Sequence, residues 1–165
     1  MTPRPMHRQD RQLPQEEAWA LLTQGTYGVL SVVGDEGWPY AVPMHYTVMD
    51  GQIYLHCAKT GYKLDASARD DRVCFTVTLR EELVQDHATS LYESVVVLGR
   101  AALVTDQATH QAALAHLVDA LGRVSPDLRD QYIARRGQNT AVLVIRPVHL
   151  TGKAKRDFRP IQQRM

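Results

Sequence analysis

The sequence is poor in the residues and patterns on which several function classes depend. It has only two cysteines, Cys57 and Cys74, and their spacing fits neither a metal site nor a redox motif. We interpret both as buried free thiols in a reducing cytoplasm. The first residues are polar and no apolar run reaches membrane-spanning length, so neither a signal peptide nor a membrane anchor is expected.

Lysine is scarce and unevenly distributed. Between Leu13 and Leu150 acidic side chains outnumber basic ones, and the only lysines there are Lys59 and Lys63. An acidic body argues against nucleic-acid binding, which needs a basic face. Residues 151–165 are basic and are expected to form a solvated or docking tail, whereas residues 1–13 are polar and expected to be mobile.

Signatures of side-chain catalysis are missing as well. The sequence contains no Gly-x-Ser-x-Gly nucleophile motif and no Walker or Rossmann glycine pattern. Any reactivity is therefore expected to come from a cofactor rather than from side chains alone.

What the sequence does contain is a pattern of strands. Its 165 residues, 44% hydrophobic, suffice for one domain with its own core. Six or seven strand-like segments, mostly joined by hairpins and without a βαβ rhythm, favour a mainly β fold, an antiparallel barrel that is closed or partly open. Helices are predicted over 14–25, 60–68, 107–121 and 126–136, and strands over 26–33, on both sides of the Asp50-Gly51 turn between residue 39 and the helix start at Thr60, and over 72–84, 92–104 and 140–146, with a last edge strand over 149–155 after a break at Pro147.

The most informative stretch runs from residue 39 to residue 65. Asp50-Gly51 predicts a two-residue hairpin turn, because a type I′ turn needs positive φ at both central residues. The register that follows sets His45 opposite His56. Directly opposed residues lie roughly 5 Å apart at Cβ, so both imidazoles are expected on one face of the sheet.

A short helix is expected to follow, with Thr60 as its N-cap. Lys59 and Lys63 then flank its first turn, where each opposes the helix dipole by roughly 0.3–1 kcal/mol. An anion bound to the free backbone N–H groups would make both lysines favourable. We hypothesise a phosphate site formed by Lys59, Thr60, Gly61 and Lys63, the alternative being two exposed lysines on a surface turn.

The paired histidines have three interpretations. They lack a suitable third ligand for a metal, and Cys57 points to the opposite face, so no metal site is predicted. They could be structural residues that satisfy neighbouring polar groups. They could instead line a ligand pocket next to the phosphate site, which would join both features into one elongated site with an anionic end.

Several motifs in order resemble one branch of the pyridoxamine 5′-phosphate oxidase-like flavoproteins, the nitroimidazole-resistance (Nim) family. They are VPMHY, the Asp-Gly turn, IYLHCAKTGYKLDA, RVCFTV, YESVVVLGRA and TGKAKR, and they extend from about Gly25 to Arg156. The resemblance implies an FMN-binding split β-barrel, usually a homodimer with FMN at the subunit interface. The C-terminal pattern of the members that process pyridoxine is absent.

The resemblance also implies site residues. Residues 43–45 would line the flavin, His56 would lie close to it, and Lys63 would contact its phosphate. Strand residues further along would close the pocket. The implied FMN-binding set is Pro43, Met44, His45, His56, Lys59, Thr60, Lys63, Tyr92 and Ser94.

The implied chemistry is reduction of a small acceptor, a nitroaromatic in this branch, with NAD(P)H as a donor. His56 is the candidate catalytic residue, as a donor to developing negative charge; a flavin-packing role is the alternative. Haem binding through His45 or His56, a non-catalytic flavin sensor, and a deazaflavin cofactor remain open. Sheet edges and apolar strand faces, such as that of Val95–Val97, also indicate a dimer.

Overall fold

The computed structural model describes residues 4–85, 87–122 and 124–157. Within these residues six antiparallel strands close into a barrel in the order β1-β2-β3-β6-β5-β4, which confirms the predicted mainly β antiparallel barrel. The described elements are α1 (Gln15–Gln24), β1 (Tyr27–Val33), β2 (Pro39–Met49), β3 (Gln52–Ala58), α2 (Tyr62–Arg69), β4 (Arg72–Val84), β5 (Thr89–Leu103), α3 (Gln107–Leu121), α4 (Pro126–Arg136) and β6 (Thr140–Lys155).

The barrel interior is filled by the apolar side chains that alternate along each strand. On β4, Val73, Phe75 and Val77 are buried, while the residues between them are more exposed. Phe75 packs edge-on against Tyr46 with ring centroids 5.0 Å apart. The Tyr46 hydroxyl donates to the Leu22 carbonyl at 2.6 Å, which fixes α1 to the barrel.

The β2–β3 hairpin has the predicted turn and register. Asp50 and Gly51 both have positive φ, at 51° and 70°. The β2–β3 pairing ends at Tyr46 opposite Leu55, and His45 pairs instead with Tyr27 on β1. The predicted ladder pair between His45 and His56 is therefore not formed.

The C-terminal strand differs from the prediction of two strands separated by Pro147. Residues 140–155 form one strand, and this strand lies between β3 and β5 rather than at an edge. Pro147 is accommodated because the β5–β6 register shifts between Leu98 and Gly99, and a proline is tolerated at such an irregularity. A Cβ on Gly99 would come within 2.8 Å of the Arg146 carbonyl oxygen, so the close approach requires glycine.

The two predicted terminal tails are partly incorporated into the barrel. Gln12 forms a bridge with Lys153, and the Leu13 N–H donates to the Gly152 carbonyl at 3.0 Å. Gly152 lies so close to Ala18 that an added Cβ would be 2.6 Å from it. Residues 151–155 thus belong to β6, and a mobile segment that includes residues 12 and 13 is not observed; residues 1–3 and 158–165 lie outside the described part of the chain.

Free sheet edges and uncovered apolar strand faces are part of the sequence-based prediction of a dimer. The closed barrel does not support this inference. Val95 and Val97 are fully buried in the barrel's own core. Because β1 pairs with both β2 and β4, the described strands form a continuous ring without a free edge. A homodimer remains a prediction from the family resemblance alone.

Helix α3 packs on the outer face of β2, β3 and β6, and α4 packs against α3; both have the bounds that the sequence predicted. A second hydrophobic cluster joins Tyr54, Val142 and Val144 of the sheet to Leu114 and Leu117 of α3. Both helices begin with a side-chain cap, as described below. No helix in the described part of the chain is long and apolar enough to cross a membrane.

Candidate functional site

His56 lies on the outer face of β3, opposite Val142 of β6. It lines a cavity of about 370 Å³ between the barrel and the two helices α3 and α4. Among the buried side-chain nitrogen and oxygen atoms of the described residues, only its Nδ1 has no hydrogen-bond partner. An unpaired buried polar atom costs roughly 1–3 kcal/mol, so its retention calls for an explanation.

The surroundings of His56 keep its imidazole uncharged at neutral pH. Burial lowers the pKa of His56, and the nearby His45 lowers it further. The neutral ring has one N–H donor and one acceptor nitrogen. His56 is therefore suited to form a hydrogen bond to a ligand, rather than to act as a cationic acid.

His45 lies on the same outer face of the sheet but is more exposed. Its Nδ1 lies 3.1 Å from the Thr26 carbonyl oxygen, and its ring packs against Tyr27 with centroids 4.8 Å apart. Because a carbonyl oxygen only accepts, Nδ1 carries the proton in this contact and Nε2 is the acceptor of the neutral ring. The two histidines are thus neighbours on one face of the sheet, each with one ring nitrogen that has no hydrogen-bond partner among the described residues.

The start of α2 differs by one residue from the sequence prediction. The N-cap is Gly61, not Thr60, and α2 begins at Tyr62. Gly61 has a φ of 136°, a conformation that side-chain-bearing residues rarely adopt, which explains why the chain turns there and not at Thr60. No side chain caps this helix, and Lys63 occupies its second position.

The uncapped end of α2 is nevertheless held firmly against the β1–β2 connection. The Tyr62 hydroxyl accepts from the Asp35 backbone N–H at 2.6 Å, and its ring packs edge-on against Tyr40 at 4.8 Å. Asp35 also pairs with Arg69 at the other end of the helix. Lys63 lies close enough to Cys57 to offset part of the effect of burial, which raises the pKa of that thiol.

Pro43 and Met44 lie on β2 beside His45, but their side chains face different environments. Pro43 is exposed on the strand, whereas Met44 is 7% exposed and packs in the barrel core. The Met44 side chain therefore does not line an outer-face site, and only its backbone remains for contact with a ligand.

Tyr92 and Ser94 are not brought close to the histidines within one chain. On β6, Tyr92 pairs with Lys155, whereas His56 pairs with Val142, near the opposite end of the same strand. Tyr92 accepts a hydrogen bond from Arg11 at 2.9 Å. These two residues could reach the histidines only from a second copy of the chain.

The sequence prediction missed the contribution of α3 and α4. Apolar side chains of both helices line the His56 cavity, among them Leu121, Leu128 and Tyr132, which are each about half exposed. The signal available in the sequence was the spacing of Leu128 and Tyr132, four residues apart on an otherwise polar helix.

The fold and the site define a closed β-barrel protein with a cavity and an unpartnered histidine nitrogen on its outer face. The family model described as pyridoxamine 5′-phosphate oxidase matches residues 14–154. The chain therefore belongs to the pyridoxamine 5′-phosphate oxidase family. None of the curated proteins matches the sequence.

Solved structures share the fold at low sequence identity. A candidate 5-nitroimidazole antibiotic resistance protein from Bacteroides thetaiotaomicron is 22% identical, with a TM-score of 0.70 over 87% of this chain and 86% of that one. A FAD-binding protein from Mesorhizobium loti is 23% identical, with a TM-score of 0.66 over 88% and 97%. The flavocytochrome Anf3 from Azotobacter vinelandii is 22% identical, with a TM-score of 0.76 over 96% and 76%.

Proposed function

We propose that this protein is a cytoplasmic FMN-binding flavoprotein that reduces a small acceptor, such as a nitroaromatic. The observation that carries the proposal is the unpartnered Nδ1 of His56, beside His45, on the strand that leads into the uncapped and lysine-flanked start of α2. A polar ring system with an anionic end would complement both features at once.

The start of α2 fits a phosphate group. The first N–H groups of a helix have no intrahelical acceptor and favour an anion, and no side chain supplies one here. Lys59 is exposed and Lys63 is half-buried, and neither forms an ion pair within the described residues. Nothing lies within 4 Å of the position that a Cβ on Gly61 would occupy, so the backbone there is open to a ligand.

Family membership and the fold neighbours support a flavin as the ligand. The neighbour from Mesorhizobium loti is described as FAD-binding and the one from Azotobacter vinelandii as a flavocytochrome. The neighbour from Bacteroides thetaiotaomicron connects the fold with nitroimidazole resistance. We favour FMN over FAD because the family resemblance implies FMN; a deazaflavin would suit the same phosphate site.

When bound, FMN supplies hydride transfer between NAD(P)H and a small acceptor. In this chain, Lys59, Lys63 and the backbone N–H groups of the first turn of α2 would hold the FMN phosphate. His56, neutral and unpartnered, would donate a hydrogen bond to negative charge that develops on the acceptor. His45 would contribute Nε2 on the exposed side of the same face.

A homodimer is part of this proposal. Tyr92 and Ser94 of β5 pair with the C-terminal end of β6, whereas His56 of β3 pairs near its N-terminal end. They can therefore complete the site only from the second subunit. The proposal therefore expects a dimer in solution at micromolar concentration, and a stable monomer that retains flavin would exclude the contribution of Tyr92 and Ser94.

The test is an FMN titration of the apoprotein with a matched pair of charge-reversal variants. Lys63→Glu is expected to weaken FMN binding about thirtyfold, because it replaces a phosphate partner by a like charge. Arg135→Glu, on the exposed side of α4, makes the same change in net charge and is expected to leave binding unchanged. Equal FMN affinity in both variants would contradict a phosphate site at α2.

A haem protein is the second candidate, because the unpartnered imidazole of His56 faces a largely apolar cavity. Haem binding would give a Soret band near about 400 nm that is lost in a His56→Leu variant. A flavin sensor is the third interpretation. It would retain FMN but fail to oxidise NAD(P)H when a nitroaromatic is added.

A further inference from the structure

The His56 cavity adjoins a second cavity of about 300 Å³ beneath the same two helices. Four residues line both cavities, so the two spaces are neighbours that share a wall along α3 and α4. The shared residues are Leu114, Ile133, Gly137 and Thr140. Together the cavities have the size of a small-molecule site.

The first cavity has an apolar lining that the protein does not cover. Leu121, Leu128 and Tyr132 are 51%, 57% and 53% exposed and lie together on its wall. Large apolar side chains that are clustered and half exposed mark a binding surface more often than single exposed ones do. This cavity has few polar groups. The nitrogen-bearing side chains among them are the imidazole of His56 and the guanidinium of Arg136.

The second cavity has a polar lining. It is formed by Lys59 and the side chains of Gln107, Gln111 and Gln138, with His110 held by a 2.8 Å contact between its Nε2 and the Thr140 carbonyl oxygen. No aspartate or glutamate of the described residues lines either cavity. The formal charges around the combined space are therefore positive only, from Lys59 and Arg136.

We propose that the two cavities form one binding site for an amphipathic small molecule with a ring-sized apolar body and a single anionic group. The apolar body occupies the space beside His56, and the anionic group lies beside Arg136, towards the polar cavity, which leaves Lys59 to the FMN phosphate. This binding does not depend on FMN. Only the role of such a molecule as the acceptor that is reduced rests on the proposed function, because that role requires a flavin next to His56.

The test uses 8-anilinonaphthalene-1-sulfonate, which combines an apolar ring system with one sulfonate, and the full-length protein. Leu128→Glu is expected to weaken its binding about tenfold, since a carboxylate on the cavity wall repels the sulfonate and is poorly solvated. The matched control is Leu83→Glu, which changes another exposed leucine, on β4, and is expected to have no effect.

A second variant pair keeps the test valid if Leu128→Glu does not fold. Arg136→Gln is expected to weaken probe binding about fivefold through loss of a charge-assisted contact. Arg135→Gln removes the neighbouring charge on α4 and is expected to leave it unchanged. N-phenyl-1-naphthylamine, which lacks the sulfonate, should bind more weakly and respond to neither arginine variant.

Failure of this inference and failure of the FMN proposal give different results. The inference expects Lys63→Glu to bind the probe like the unaltered protein, and Leu128→Glu to bind FMN normally. Equal probe affinity in Leu128→Glu and Leu83→Glu, together with equal affinity in the two arginine variants, overturns the site. Displacement of the probe by FMN that is lost in Lys63→Glu also overturns it, because the cavities would then belong to the flavin site.

Discussion

Basic and polar residues lie near both ends of β6, but only at one end do they have partners within the described chain. Near Lys155, Arg156 binds Glu17 and Glu93, and Arg11 donates to Tyr92. Near Thr140, the Nδ1 of His56 has no partner and Lys59 forms no ion pair within the described residues. The first end uses its charges to fix the N-terminal segment and α1 to the barrel. The second end leaves polar groups available to a ligand.

The helix starts show the same difference. Asp106 caps α3 through the Thr109 N–H at 2.8 Å, and Ser125 caps α4 through the Leu128 N–H at 3.3 Å. The start of α2 has no such cap and carries Lys63, whereas α1, which also lacks a side-chain cap, carries Glu16 and Glu17 in its first turn. Groups that a protein leaves unsatisfied lower its stability, and they are retained where binding requires them. Variants of the two kinds of region should therefore have opposite effects.

The largest effect is expected for His56→Leu. Loss of the hydrogen-bond donor should reduce kcat/KM for a nitroaromatic acceptor about 100-fold. The same change removes a buried unpaired nitrogen, so the free energy of unfolding should rise by about 1 kcal/mol. Turnover kinetics and urea unfolding measure the two quantities, with His116→Leu, an exposed change on α3, as the control. Reduced stability with unchanged turnover would assign His56 a structural role.

Lys63→Glu is expected to separate binding from stability in the same way. While FMN affinity falls about thirtyfold, the apoprotein should become more stable by about 0.5 kcal/mol, because the glutamate favours the positive end of the helix dipole. Denaturant unfolding of the apoprotein, compared with Arg135→Glu, measures the second effect. An apoprotein destabilised by Lys63→Glu would show that the lysine stabilises the fold.

Tyr46→Phe tests a group that is fully paired. Its hydroxyl is buried and donates to Leu22, and burial raises the pKa of Tyr46. Removal should leave the Leu22 carbonyl without this donor and lower the free energy of unfolding by about 1.5 kcal/mol, with FMN affinity unchanged. An altered FMN affinity at unchanged stability would contradict the division between paired and unpaired regions.

Asp106→Ala should have a smaller effect of the same sign. Loss of the N-cap of α3 is expected to lower the free energy of unfolding, by less than the Tyr46→Phe change does. Glu81→Ala, exposed on β4 and without an ion pair among the described residues, removes the same charge without removing a cap and serves as the control in thermal unfolding. Equal losses in the two variants would show that charge, rather than capping, is responsible.

The smallest effect concerns pH. Because the pKa of His56 is lowered from its ordinary value of 6.5, the unfolded chain takes up the proton first as the pH falls. His56 therefore lowers stability as the pH drops through 6.5 towards its folded pKa, and it has no effect above that range. The difference in unfolding free energy between His56→Leu and the unaltered protein should grow below pH 6.5. A difference that is constant with pH would exclude this contribution.

Much of the barrel could be predicted because its signals are local. The turn at Asp50-Gly51, the alternation on β4 and the bounds of α3 and α4 all follow from residues close in sequence. The continuous β6 could not be predicted, because Pro147 is accommodated by a bulge with Val148 as the extra residue of β6, and this bulge is defined only by the pairing with β5. Partner strands are chosen by tertiary packing, which a single segment does not reveal.

The candidate site was predictable only where it lies on one hairpin. Residues His45 and His56 share the expected face, although β2 changes partner at His45. The cavity beneath α3 and α4 was not predictable, because it brings His56 next to residues such as Arg136 that are distant in sequence. Whether Tyr92 and Ser94 belong to the site depends on a second subunit, so that part stays a prediction.

The most direct test of the central claim is the absorption spectrum of the purified protein, recorded after incubation with FMN and removal of the excess. The account predicts that bands near about 370 and 450 nm, the usual signature of oxidised flavin, remain with the protein at one FMN per chain. Complete loss of these bands on gel filtration, with a Soret band formed on addition of haem instead, would contradict it.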